Sequence, residues 1–187
     1  MEIQTGSFGP LKTKIAQLSS YSRIRIVHPI LTEKRIVLVD EDGKILRRRK
    51  SPKKGSPWDV FSALVYAPEL AASPNVSIEL VLVSVTEHRV QDGRGSWRRG
   101  GVSIRDKELL ECHGAIVLKK PEDYLRFLPF REGESFTVRR LADASSISLA
   151  LARKSLYVLN YLNVVERKGK EKRAWVYERK KAALGRL

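Results

Sequence analysis

Cysteine is nearly absent from this chain of 187 residues: Cys112 stands alone. That excludes an internal disulfide and a multi-cysteine zinc site. Long apolar runs are absent as well. The longest apolar-rich stretches, Val76–Val85 and Gly114–Leu118, fall short of the ~20 residues that a membrane-spanning helix needs. The amino end shows no basic–apolar–small-residue leader, so the expected location is the cytoplasm, with no membrane partner. The three histidines, His28, His88 and His113, lack the spacing of a metal site and give no Ser/His/Asp order. Residues 58–88 hold no Lys or Arg and carry a net −4.

Elsewhere positive charge is abundant. Thirty-six Lys and Arg against 21 Asp and Glu give a net +15, with a pI near 10.1. The excess is blocked: residues 33–57 carry +5, residues 89–106 carry +3 and residues 136–187 carry +9. Blocked like charge is the footprint of a polyanion partner, and duplex DNA is the favoured one. Hydrophobic residues make up 42% of the chain, enough for a core.

Glu2–Thr5 reads as a strand end, Phe8–Leu18 as a helix with Phe8, Leu11, Ile15 and Leu18 inward, and Tyr21–Val27 as a strand stopped near Pro29. Strand–helix–strand implies a parallel pair. Arg35–Val39 and Lys44–Arg48 flank Asp40-Glu41-Asp42-Gly43 as a hairpin, and Ser51–Pro57 is a loop. Trp58 to about Tyr66 is a short helix, Val76–Val90 a long strand, and Asp92–Gly101 a polar, glycine-rich loop. Val102–Ile104 and Leu109–Leu118 read as two further strands of a small antiparallel sheet, with Cys112 a buried small residue. Pro121–Leu128 is a short helix with Tyr124, Leu125 and Leu128 inward.

Residues 135–178 carry the most specific pattern. A strand entry at Phe136-Thr137 leads to a helix over Val138–Ala144, a turn at Ser145–Ser148 and a second helix over Ser148–Leu162. The second helix has its inward stripe at Leu151, Ser155, Val158, Leu159 and Leu162. Asn163 closes it, and Val164–Lys168 and Arg173–Tyr177 flank a lysine-studded turn, Gly169–Lys172. Helix, turn, helix and basic hairpin is the order of a winged helix-turn-helix. Its expected nucleic-acid contacts are Ser148, Arg153, Lys154 and Tyr157 on the second helix and Lys168, Lys170, Lys172 and Arg173 on the wing. Leu149 and Ala150 hold the first turn, where groove-reading side chains usually lie, so low sequence specificity is expected. Two loop clusters join the candidate surface. Arg94, Trp97, Arg98 and Arg99 combine guanidinium forks with an aromatic face. Arg48, Lys50, Lys53 and Lys54 belong to the run Arg47–Lys54, a phosphate grip or a solvated loop.

Glu2-Ile3-Gln4-Thr5, an amphipathic helix and then Arg23–Val27 resemble the second half of a PD-(D/E)XK nuclease core. The resemblance implies that Glu2 holds Mg²⁺ and that Gln4 stands at the Lys/Gln position that orients the attacking water. It also implies an Asp on a preceding strand, which has no counterpart here, so Glu2 would be a metal ligand only together with upstream residues. More broadly, the chain is similar to a family of uncharacterised bacterial proteins. They join such an amino-terminal unit to an Asp-Gly-Arg-Gly-Ser-Trp-Arg-Arg segment, here Asp92–Arg99, and a carboxyl-terminal winged helix.

The expected fold is α+β. A truncated restriction-endonuclease-like strand–helix–strand unit with a basic hairpin and loop fills residues 1–57, a helix and small antiparallel sheet residues 58–118, and a winged helix-turn-helix residues 119–187. The expected function is nucleic-acid binding. A metal-dependent nuclease whose catalytic half is incomplete in this chain, with Mg²⁺ as its cofactor, and a protein-interaction adaptor are the alternatives. No cofactor is expected for the chain by itself.

Overall fold

Alternation of apolar and polar residues decides where strands form, and in the computed structural model it yields three unusually long ones. Residues 1–180 are described. Strand β1 is Glu2–Ile3, followed by a 3₁₀ turn at Gly9–Leu11, helix α1 at Lys12–Ser19, strand β2 at Ile24–Val39 and strand β3 at Ile45–Lys50. A 3₁₀ turn at Pro57–Asp59 leads into helices α2, Val60–Leu64, and α3, Glu69–Ala72. Strands β4, Val76–Gln91, and β5, Val102–Leu118, flank a loop with a 3₁₀ turn at Trp97–Arg99. The rest is a 3₁₀ segment at Pro121–Phe127, strand β6 at Ser135–Thr137, helices α4, Val138–Ala144, and α5, Leu149–Tyr161, and strands β7, Val165–Glu171, and β8, Ala174–Arg179.

One sheet has the order β1-β2-β4-β5, with β3 added to β2. It is mixed: the strands expected as a parallel amino-terminal pair, as a hairpin and as a separate small sheet over residues 76–118 join in one sheet. β1 runs parallel to β2 with Glu2 opposite Ile26, and β3 runs antiparallel to β2. Ile24 N–H bonds Asn75 O and Thr32 Oγ1 bonds Val83 O; partners that advance together mark β2 and β4 as parallel. The second sheet has the order β6-β8-β7, all antiparallel.

The described chain forms two compact units. The first comprises Met1–His28, Trp58–Leu80 and the chain from Ile116 onward; the second comprises Pro29–Pro57 and Val81–Ala115. In the first, Phe8, Ile15, Ile26, Val60, Phe61, Leu64, Leu141, Leu156 and Leu159 are buried. The rings of Phe61 and Phe127 lie 4.9 Å apart and nearly perpendicular, and Trp58 meets Phe127 edge-on at 5.3 Å. Phe130 stacks on Phe136 at 4.1 Å. The second unit buries Ile30, Ile36, Val83, Val85 and the carboxylate of Glu87. Among the described residues no helix is long and apolar enough to cross a membrane.

Several expectations are corrected. Pro29 does not stop β2. Val27 O accepts from Gln4 N–H, so position 29 aims its missing donor at the same edge, beyond the end of β1, where no ladder bond is lost. Leu18 is exposed, because α1 buries a narrower face than its spacing offers. The helix from Trp58 ends at Leu64, and α3 follows as a separate turn. Residues 102–118 form one strand, not two. β5 lies at the edge of the sheet order, and Cys112 on it is exposed, not buried. Phe127 is buried where Leu125 was expected, because a 3₁₀ segment advances three residues per turn. The face of α5 buries Ala152 and Leu156 as well as Ser155, Val158 and Leu159, while Leu151 is half-buried. The last hairpin turns at Lys172-Arg173, with Glu171 opposite Ala174, so Gly169 and Lys170 belong to β7.

Candidate nucleic-acid interface

Ser148 is the N-cap of α5: its Oγ accepts from Leu151 N–H at 3.2 Å. That bond uses the oxygen as an acceptor and leaves the exposed O–H of Ser148 as a donor. From this start α5 presents Leu149, Ala150, Arg153, Tyr157, Asn160 and Tyr161 as exposed residues. Lys154 is turned aside: its Nζ reaches Ser62 Oγ on α2 at 3.4 Å. Asn163 takes φ 60° and closes the helix, as expected of an αL cap.

The β7–β8 hairpin distributes its cations unequally. Glu166 and Glu178 are cross-strand partners, and Lys168 Nζ lies 3.0 Å from Glu166 and 3.5 Å from Glu178. Its hydrogen bond to Glu166 is the main reason that the Lys168 pKa is raised and the Glu166 pKa lowered. Arg167 lies 4.1 Å and Lys170 4.7 Å from the centroid of the Trp175 ring. Lys172 and Arg173, at the tip, are exposed and make no ion pair with a described residue. Of the four expected wing contacts, two are therefore held within the hairpin and two point outward.

In the second unit the register of β3 on β2 sorts the basic run onto two faces. Ile36 pairs with Arg49 and Leu38 with Arg47, while Val37 pairs with Arg48 and Arg35 with Lys50. Arg47 and Arg49 share a cleft of about 180 Å³ with Arg89 and Arg99, floored by Ile36, Leu38 and Val102. Arg48 and Lys50 line a shallower groove of about 380 Å³ with Arg35, Val37 and Thr86, and Arg49 and Ile36 border both this groove and the cleft. Lys50 is paired with Glu33 at 2.9 Å, and Lys53 and Lys54 lie exposed in the following loop. Arg47 and Arg49 belong to the basic run read from the sequence as a phosphate grip or a solvated loop, without their placement on one face; Arg89 was not singled out. The period-2 register across Asp40–Gly43 carried the signal for the first two; Arg89 had none.

The Arg/Trp loop is tightly formed. Gly95 N–H donates to Gly101 O at 2.7 Å, and a Cβ at Gly95 would lie 1.9 Å from Val102 O. Asp92 accepts from Arg94 N–H at 3.0 Å, and that bond leads the causes that lower its pKa. Trp97 is 84% exposed, with the Arg98 guanidinium 5.5 Å from its ring centroid. Arg99 is directed elsewhere: its Nε–H bonds Val102 O at 3.1 Å.

Glu2 and Gln4, the pair singled out on β1, both have protein partners. Glu2 accepts from Lys14 Nζ at 2.9 Å, and Gln4 Nε2 donates to Ser7 O at 2.6 Å. No group of three or more His, Cys, Asp or Glu able to hold a metal comes together among the described residues. Beside β1, His28 is buried, its ring 5.2 Å from Phe8 and its Nδ1 2.6 Å from Gln4 O. Burial pushes its pKa down and outweighs the bond to Gln4; the neutral ring donates there.

No solved structure matches the chain. An uncharacterised protein of Treponema pallidum (strain Nichols) is 30% identical over 115 residues, which is 62% of this chain. The match covers 46% of that relative, so the chain aligns with about half its length. The family model of a domain of unknown function, DUF8091, matches residues 1–119. That span holds every residue that lines the arginine cleft, and the Arg/Trp loop, and on it the chain belongs to the DUF8091 family.

Proposed function

We propose that this protein binds duplex DNA with low sequence specificity, through a winged helix-turn-helix formed by residues 121–179. The observation that carries this is the succession β6, α4, α5 and a β7–β8 hairpin in a sheet of order β6-β8-β7, with Lys172-Arg173 exposed at the tip. The tip cations suit phosphates, with counterion release as the driving term. The exposed start of α5 offers Leu149, Ala150 and Arg153 and no Asn or Gln, which suits backbone contact better than base readout.

The test is the affinity of the full chain for a random-sequence duplex across a salt series. Affinity should fall steeply with salt, and Lys172→Ala with Arg173→Ala should flatten the slope by about two, at roughly 0.9 for each phosphate no longer neutralised. A flat salt dependence, or a double variant that binds like the parent, would overturn the proposal. Tighter binding of RNA than of duplex DNA would reassign the partner.

A nuclease reading has one observation in its favour, the parallel β1–β2 pair connected through α1. It requires Mg²⁺-dependent cleavage of DNA that is lost in Glu2→Gln.

A further inference from the structure

One cleft of the second unit is lined by cations and, among the described residues, by no anion. Arg47, Arg49, Arg89 and Arg99 face one cleft of about 180 Å³. The carboxylate that meets this group is Glu87, which accepts from Arg89 Nε at 2.7 Å and Nη2 at 2.5 Å. Glu87 also pairs with Lys34 at 3.2 Å, so its one charge is shared between two cations. Arg47 and Arg49 make no ion pair with a described residue. Converging guanidiniums repel one another. An arrangement of this kind is relieved by an anion of more than one charge.

Two of the four forks are already oriented. Glu87 holds Arg89 through both its Nε–H and an Nη2–H, and Val102 O holds Arg99. The loop that delivers Arg99 closes only because Gly95 has no side chain against Val102. The other two stand side by side on β3, two residues apart on one face. Planar forks on several sides match the tetrahedral oxygens and double charge of a phosphoryl group better than the two coplanar oxygens of a carboxylate.

We propose that the cleft between β3 and the β4–β5 loop is a phosphoryl-binding site, clasped by Arg47 and Arg49 from one side and by Arg89 and Arg99 from the other. The site is separate from the wing: it would exist even if residues 121–179 bind no DNA. Its phosphoryl group comes either from a nucleic-acid end or from a free phosphate compound.

The test is calorimetric titration of the full chain with inorganic pyrophosphate at one fixed salt concentration. Binding should weaken at least tenfold in Arg47→Ala/Arg49→Ala. It should stay within about twofold of the parent in Arg48→Ala, which alters the other face, and in Lys172→Ala/Arg173→Ala. Arg47→Lys/Arg49→Lys keeps the charge and loses the forks; it should weaken binding severalfold while leaving the melting temperature in place, and it serves if the alanine variant does not fold. Absence of pyrophosphate binding, or equal losses in Arg48→Ala and the cleft variant, would overturn the proposal. A 5′-phosphorylated oligonucleotide that binds more tightly than its 5′-hydroxyl twin and is displaced by pyrophosphate identifies the source as a nucleic-acid end. Equal binding of the two oligonucleotides, with pyrophosphate bound as expected, identifies a free phosphate compound.

Discussion

Tyr124 buries a hydroxyl that meets no hydrogen-bond partner among the described residues. Burial, with a smaller push from Asp123, raises its pKa beyond any accessible range. A buried polar group left unmatched is a cost, so Tyr124→Phe should raise the free energy of unfolding by about 1 kcal/mol, read by urea denaturation. His28 and Glu87 are buried titratable groups that contribute to the acid response, one in each unit. The pKa of His28 is lowered by burial, so its stabilising effect is complete above its ordinary value of about 6.5 and fades as pH falls through the lowered one. Burial pushes the Glu87 pKa up, but the hydrogen bonds from Arg89 and Lys34 together pull it below the usual carboxylate range. Its contribution is complete above that usual range and is lost as pH falls through the lowered value. Melting temperature against pH should therefore decline in two stages, the first starting near pH 6.5. Glu87→Gln should lower the melting temperature at pH 7 and make the second stage shallower, since Glu33, Asp92, Glu134 and Glu166 share that stage; loss of the first stage would contradict this assignment.

At the scale of elements, the last hairpin depends on Lys168. Directly opposed like charges weaken a strand pair, and Lys168 lies between Glu166 and Glu178. Lys168→Ala should lower the melting temperature by a few degrees, and Glu178→Gln should restore most of it in the double variant. A weaker affinity in Lys168→Ala alone would thus report hairpin stability as well as contact with DNA. The helices of this region were legible because caps and periodicity are local: Ser148 and Asn163 end α5 where the sequence places them. The hairpin turn was not. Gly169 drew the turn toward itself, yet it sits at a bulge between Arg167 and Gly169, while Lys172 adopts φ 54° at the true turn. Lys-Arg carries no turn signature, and strand pairing overrode it. The stripe of α5 also came out partly displaced. Leu156 and Ala152 are buried because α5 packs against α2 as well as α4, and packing between distant segments leaves no local periodic mark.

Over the whole molecule, the blocked charge was the most readable property and its geometry the least. The sequence shows a basic run at residues 47–54 and a basic loop at 94–99. That Arg47, Arg49 and Arg99 face one cleft with Arg89 depends on a strand register and a loop closure. The family match ends at residue 119, before the helix–turn–helix and its hairpin begin. In this chain the matched span holds the cleft and its loop, and the DNA binding proposed for residues 121–179 lies outside it.

The chain passes between its two units four times, after His28, Pro57, Leu80 and Ala115. No single break in the gene can therefore separate them, and no single fusion can bring in one without the other. Such an interleaved pair is inherited as a block: a lineage that recombines anywhere inside residues 29–115 loses part of both. The carboxyl-terminal helices and hairpin form one uninterrupted stretch, but α5 packs against α2 inside the first unit, so they belong to the same block.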